Sequence, residues 1–423
     1  MILKNMVSAS QNHNMKLLTK TLLPLTALVL LLAGCLKDKV SRSYTILTPV
    51  YKNKNDVLSE VRPSSAQPLE NPGKIFMYGD YLFVNEINKG VHIIDNSNPS
   101  APVNKSFITI PGNIDIAVKG NALYADIYTD MLTIDISSPL SATVKKVSRD
   151  VFPERSYGNG FAADSSRYIV DWTKKDTTVA YDKPGPCINC GLVLFASSSQ
   201  SAAKATIGIA GSMSRFSIVN NYLYTVSINA LKVFNVNDAF NPDFLNNSYL
   251  PFGIETIYPF RDKLFIGSTT GMYVYDISNA SKPEFISGVA HVRSCDPVVT
   301  DGDYAYVTLR AGTTCGGMTQ SRLEVIDVKD ISSPKLIATY DLSGPYGLGK
   351  DGNTLWICDG TAGLKVFDAS NPQSVRLVKT YSNLEPLDVI PYNGRLIVSA
   401  KEGIIQFDYS NGNMTELSRL KKK

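Results

Sequence analysis

A unit that recurs eight times constrains this chain most. It opens with a Gly/Asn/Asp turn and an aromatic-aliphatic strand. After a short loop comes a second strand that ends in Asp and runs into Ser-Asn-Pro or a relative. The clearest copies are GDYLFVNEINKGVHIIDNSNPSAP from Gly79, GNALYADIYTDMLTIDISSP from Gly120, RDKLFIGSTTGMYVYDISNASKP from Arg261 and GNTLWICDGTAGLKVFDASNP from Gly352. Weaker copies begin at Ser165, Asn220, Gly302 and Asn393. The equivalent strand position is Leu82, Leu123, Tyr168, Leu223, Leu264, Ala305, Leu355 and Leu396, at intervals of 41, 45, 55, 41, 41, 50 and 41 residues. A period near 40–45 with several short strands is that of a propeller blade. One blade cannot bury both its faces, so copies must stack around an axis. The expectation is an all-β propeller of four-stranded antiparallel blades, eight by count, or seven if one copy is degenerate.

The strand-and-turn segments GVHIIDNSNP, MLTIDISSP, LEVIDVKDISSP and LKVFDASNP resemble the LVIVD repeat, over about residues 74–420. That resemblance implies a bacterial surface propeller. Two copies depart from the pattern: the third reads Gly191-Leu-Val-Leu-Phe-Ala without the Asp, and the fourth has Asn235 in its place. The recurring Asp95, Asp135, Asp276, Asp327, Asp368 and Asp408 invite a reading as a carboxylate ring. Each precedes a turn whose backbone an Asp side chain can bond, so they are read as structural.

Upstream of the repeats, Lys16 and Lys20 precede a short apolar run, Leu22 to Ala33, and then Leu32-Ala33-Gly34-Cys35. About twelve apolar residues are too few to span a bilayer and fit a signal segment. The tetrapeptide resembles the bacterial lipobox, which implies lipidation of Cys35 and cleavage before it. Leu36-Lys37-Asp38-Lys39 resembles the charged signals that send some Bacteroidetes lipoproteins to the outer face of the outer membrane. The domain expectation is a signal peptide over 1–34 (its start at Met1 or Met15), a lipidated tether over 35–73 and the propeller over 74–423. Tyr44–Tyr51 alternates enough to form one strand, expected to cover an outer blade edge.

The net charge of +4 includes Lys4, Lys16 and Lys20; without them 39 basic residues face 38 acidic ones. That balance argues against nucleic acid as a partner. The expected partners are the bilayer, through Cys35, and a protein or glycan ligand; the chain is read as a monomer.

Function is expected on one face, here called the top, where loops between second and third strands meet the connections between blades. Thr173–Asn189, Ala311–Ser321 and Arg149–Gly160 are all insertions on that face, and elaborated loops mark binding surfaces. Inner strands enter the channel mouth at Lys74, Asp115, Gly160, Arg215, Thr256, Pro297, Gly347 and Asp388, with Glu255, Asp296 and Tyr346 one residue earlier. Second strands end there at Glu86, Asp126, Trp172, Arg310, Asp359 and Lys401, and Arg155 and Tyr157 come from the long connection. From this set, Asp115, Arg155, Trp172, Arg215, Glu255, Asp296, Arg310, Tyr346 and Asp388 are the ligand-binding candidates. Oxygen ligands at the mouth would suit Ca²⁺; no other metal or cofactor is expected.

Cysteine placement suggests a Cys295–Cys315 disulfide and a local Cys187–Cys190 disulfide, with Cys358 left buried and reduced. Catalysis has little to work with. His92 lies in a third strand between Val91 and Ile93, and His291 in a connection. Gly347–Gly352 matches GxGxxG, but no helix follows to receive a pyrophosphate. The functional reading is a non-catalytic recognition or scaffold protein. The alternatives are a polysaccharide hydrolase or lyase using Glu255, Asp296 and Asp388, and a structural component of an envelope complex.

Overall fold

The computed structural model describes residues 40–181, 204–205, 208–291, 294, 297–312 and 319–423. Cys35, Cys187, Cys190, Cys295, Cys315 and Asp296 lie outside the described residues, so the lipidation and disulfide expectations concern positions without a described structure.

The chain divides into two compact units, 1–48 with 172–192, and 49–171 with 193–423. In the first, the strand Val40–Asn53 pairs with Arg167–Tyr181, both continuing into the second unit. Thr45 donates to Asp176 at 2.6 Å, and Ser43 meets Thr178 at 3.0 Å.

The second unit is a ring of seven four-stranded antiparallel blades. Their innermost strands are Pro72–Tyr78, Ile116–Lys119, Phe216–Val219, Ile254–Phe260, Val298–Thr300, Leu348–Asp351 and Pro386–Tyr392. Blades are numbered 1 to 7 in that order. Second strands lie between two stacked neighbours, so they read as near-continuous apolar runs. In Ala122–Ile127 every residue is buried, and in the other six all but the first are.

The count of eight is corrected here to seven. The third copy is not a blade: its second strand runs on as the 15-residue Arg167–Tyr181, whose partner is Val40–Asn53. Of Arg167 to Trp172 only Tyr168 is buried. Blades 2 and 3 are therefore joined by the long connection 149–215. Tyr44–Tyr51 is also not an edge cover. The segment Arg62–Ser65 does that, pairing with Ser106–Thr109 on the outer strand of blade 1. The stretch expected as a tether further carries a short helix, Lys54–Ser59.

The recurring Asp residues bond their own turns. Oδ1 of Asp95, Asp135, Asp276, Asp327, Asp368 and Asp408 accepts the backbone N–H two residues on. Asn235 does the same from Asn237 at 2.8 Å. Ring closure shares no strand. Ile390, Ile397 and Ile404 of blade 7 pack with Ile75, Leu82 and Ile94 of blade 1. At that seam Asn96 and Gln406 exchange amide hydrogen bonds of 3.0 and 2.7 Å. Leu69 and Lys422 add a parallel bridge.

Candidate functional site: the plugged channel mouth

Small residues let the chain re-enter the ring before blade 3. Gly208–Ala210 adds to the inner edge of blade 1, opposite Phe76 and Met77. Gly211–Arg215 then crosses the axis and bonds to blade after blade. Gly211 N–H donates to Ile75 O at 3.2 Å, and Ile257 N–H to Ser214 O at 3.0 Å. Ser212 Oγ accepts from Leu348 N–H and lies 3.5 Å from Asp388 Oδ1. Ser214 Oγ donates to Asp115 Oδ1 at 2.9 Å. These contacts reach blades 1, 2, 4, 6 and 7. The segment is a plug, and side chains expected on an open rim are packed beneath it.

The register reading places Lys74, Asp115, Arg215, Thr256, Gly347 and Asp388 at inner-strand starts, where the structure also has them. Gly160 is not among them; it lies in the connection, in the turn of the small hairpin Tyr157–Gly158/Phe161–Ala162. Lys74 Nζ donates to Asp115 Oδ2 at 2.6 Å, each side chain only 3% exposed. Asp115 also accepts from Ile116 N–H at 2.8 Å and from Arg215 N–H. Burial pushes Lys74 down to about 8 against the pull of Asp115, and burial raises the Asp115 carboxyl. Asp388 sits between two glycines. A Cβ on Gly211 would lie 1.8 Å from its Oδ2, and one on Gly347 2.3 Å from its Oδ1. Burial pushes Asp388 up to about 7, partly offset by the Val389 N–H and Lys74.

A carboxyl whose folded pKa exceeds its unfolded value holds its proton more tightly when folded. Its contribution to stability therefore falls as pH rises from about 4 to about 7 and is flat outside that window. Lys74, lowered to about 8, acts only above that and with the opposite sign. Asp388→Asn is expected to gain stability over the parent on going from about pH 5 to about pH 8 in urea unfolding. An identical pH response in both proteins would mean that Asp388 titrates as an ordinary carboxyl.

The acids ending second strands turn out to be caps. Asp126 Oδ1 accepts the N–H groups of Ile114 and Asp115 at 2.8 and 2.7 Å. Asp359 accepts those of Ser343 and Gly344, and Glu86 those of Glu70 and Asn71. Each holds the chain as it enters the inner strand of its own blade. Arg155 pairs with Asp126 and donates to Gly112 O at 2.7 Å, so it braces the mouth. His92 is buried 3.1 Å from Glu86 and against Phe107. Glu255 and Thr256 are buried. The Arg310 guanidinium stacks 4.1 Å from the Tyr346 ring centroid. Trp172 belongs to the first unit, half-buried on the strand Arg167–Tyr181. Cys358 is buried and free, and burial pushes its thiol well up.

Among the described residues no three His, Cys, Asp or Glu side chains group to hold a metal. The oxygens of Asp115 are taken by four donors, and Asp388 is enclosed.

The sequence reading missed two features. One is the plug, signalled only by the small residues Gly211, Ser212 and Ser214. The other is a shallow polar pocket of about 280 Å³ lined by Asn53, Lys54, Asn55, Arg149, Asp150, Ser165 and Ser166. Lys54 Nζ there is buried, 3.3 Å from both Thr129 Oγ1 and Asp130 Oδ1. Arg149 pairs with the other oxygen of Asp130 at 2.6 Å.

Residues 73–109, 113–147 and 351–383 match the LVIVD repeat. A search of curated proteins finds no match. Many solved structures share the fold. A protein from Lactobacillus plantarum is 11% identical with a TM-score of 0.54, covering 83% of this chain and 96% of its own. A functionally unknown protein from Desulfotomaculum acetoxidans DSM 771 is 11% identical with a TM-score of 0.50, covering 84% and 97%. BamB from Moraxella catarrhalis is 8% identical with a TM-score of 0.49, covering 85% and 97%. Identities this low speak to architecture alone. The chain is a seven-bladed β-propeller whose blades 1, 2 and 6 carry matches to the LVIVD repeat.

Proposed function

We propose that this chain is an exported, lipid-anchored, monomeric recognition or scaffold protein that binds a protein or glycan through its top face. One observation carries the reading. The axis, where a propeller enzyme would place a deep reactive cleft, is filled by Gly211–Arg215, and the carboxylate of Asp115 is spent on internal donors. What remains for a partner is a broad surface. The connection 149–171 leaves the ring on the top face, whereas the bottom turns stay short and are held by Asx bonds. Tyr157, 64% exposed in that connection, is the type of aromatic that anchors interfaces.

Export and surface display rest on the lipobox-like Leu32-Ala33-Gly34-Cys35. Two measurements test the reading. Cys35→Ala is expected to move the chain from the membrane to the soluble fraction and abolish incorporation of labelled palmitate. Protease added to intact cells is expected to cleave the chain while sparing a periplasmic control. Protection would remove surface recognition in favour of an envelope scaffold. Turnover of a polysaccharide that is lost on Asp388→Asn would favour the hydrolase or lyase instead.

A further inference from the structure

Cations at the top of the ring are mostly matched by acids. Arg155 pairs with Asp126, Lys365 with Asp359 at 2.6 Å, and Arg322 with Glu324 at 2.5 Å. Arg215 and Arg310 break this pattern. Arg215 lies immediately before the inner strand of blade 3, and Arg310 immediately follows the second strand of blade 5. Both side chains are half-buried. In both, Nε is sealed from solvent with no hydrogen-bond acceptor among the described residues. The backbone of each is engaged, Arg215 N–H with Asp115 and Arg310 O with Ser294 Oγ at 2.8 Å. An unmet buried donor is costly, and in a native protein it calls for an explanation.

Local charge adds to the case. Lys74 carries a like charge near Arg215, and Asp115 bonds the Lys74 side chain but only the backbone of Arg215. Asp388 is packed in by glycines and cannot swing out to serve Arg215. An anion arriving from outside would meet a guanidinium whose Nε has no described acceptor. That of Arg310 is set over the Tyr346 ring. A planar fork fixed in position suits a carboxylate.

We propose that Arg215 and Arg310 are anchoring cations for an acidic glycan, each taking one sugar carboxylate at the top mouth. This rests on the recognition reading above and names its ligand class. Among the described residues the two arginines stand apart from the paired charges. That suits well-spaced carboxylates on an otherwise neutral, hydroxylated chain better than a continuous acidic run of peptide.

The test uses the purified full chain and the ¹⁵N–¹H signals of arginine Nε. An oligosaccharide of D-glucuronate is expected to shift the Arg215 and Arg310 Nε signals saturably, and the neutral glucose oligomer to leave them unmoved. Arg215→Gln is expected to weaken binding about tenfold or more, the equivalent of one charge-assisted hydrogen bond. Arg215→Lys is expected to weaken it similarly, because the charge is kept and the fork is lost. Unchanged thermal midpoints in both variants separate lost binding from lost folding. Three results would overturn the proposal: no shift, a shift produced equally by chloride at matched ionic strength, or equal or tighter saturation by hexaglutamate. The last would move the site to a protein partner. None depends on where the cell places the protein, so failure here is distinct from failure of surface display.

Discussion

Asp115→Ala is expected to destabilise the propeller by about 3–5 kcal/mol, the usual cost of leaving a buried charge without its partner. The stranded group is Lys74, whose side chain is 3% exposed. Three further donors lose their acceptor at the same time, from Ile116, Ser214 and Arg215. Urea unfolding with a shared m-value is the measurement. The double variant Lys74→Met/Asp115→Ala removes the stranded charge, so it is expected to recover part of the loss and to be more stable than Asp115→Ala alone. A single-variant cost below about 0.5 kcal/mol, the ordinary range for a surface change, would show that the pair is not load-sharing in the core.

The second large effect concerns the plug. Gly211→Ala is expected to cost about 1–3 kcal/mol, the range for overpacking a fixed site, because the new methyl would overlap the Asp388 carboxyl. The backbone cannot retreat freely, since the Gly211 N–H and O both hold hydrogen bonds, to Ile75 and from Met213. Asp388→Ala empties the space the methyl needs. In a double-mutant cycle the two changes should therefore couple, the pair costing less than the sum. Strict additivity would mean that the plug seats without touching Asp388. Limited proteolysis gives an independent reading, with Gly211→Ala expected to expose the chain near Met213 before the blades open.

Much of the ring was legible because each blade repeats the same physical demand. The register that puts Lys74, Asp115 and Arg215 at equivalent inner-strand starts comes from counting back from apolar second strands. The turn Asp residues were legible for the same reason. The third copy was not, yet its sequence held the clue. Blade 3 keeps the turn bond with Asn235, whereas Gly191-Leu-Val-Leu-Phe-Ala has neither Asp nor Asn. Substitution of one acceptor for another is tolerated; its loss accompanies loss of the blade. Conversely, Asp126, Glu86 and Asp359 looked like ligand groups because a sequence shows that a carboxylate is near the mouth, not which N–H groups already occupy it. The plug escaped notice because it follows no repeat, and its partners are distant in the chain.

Those distances bear on how the molecule is made. The plug meets Asp115 across 100 residues and Asp388 across 176, whereas each blade is assembled from neighbouring hairpins. Contacts of long sequence separation pay a larger chain-closure cost before they return any stabilisation, and they form late. During synthesis from the N-terminus, Ser214 emerges to find blades 1 and 2 already made. Leu348 and Asp388 do not yet exist. The contacts of the plug with blades 4, 6 and 7 can therefore form only after the rest of the chain is made. The axis is thus expected to be among the last parts of the molecule to close, after the individual blades.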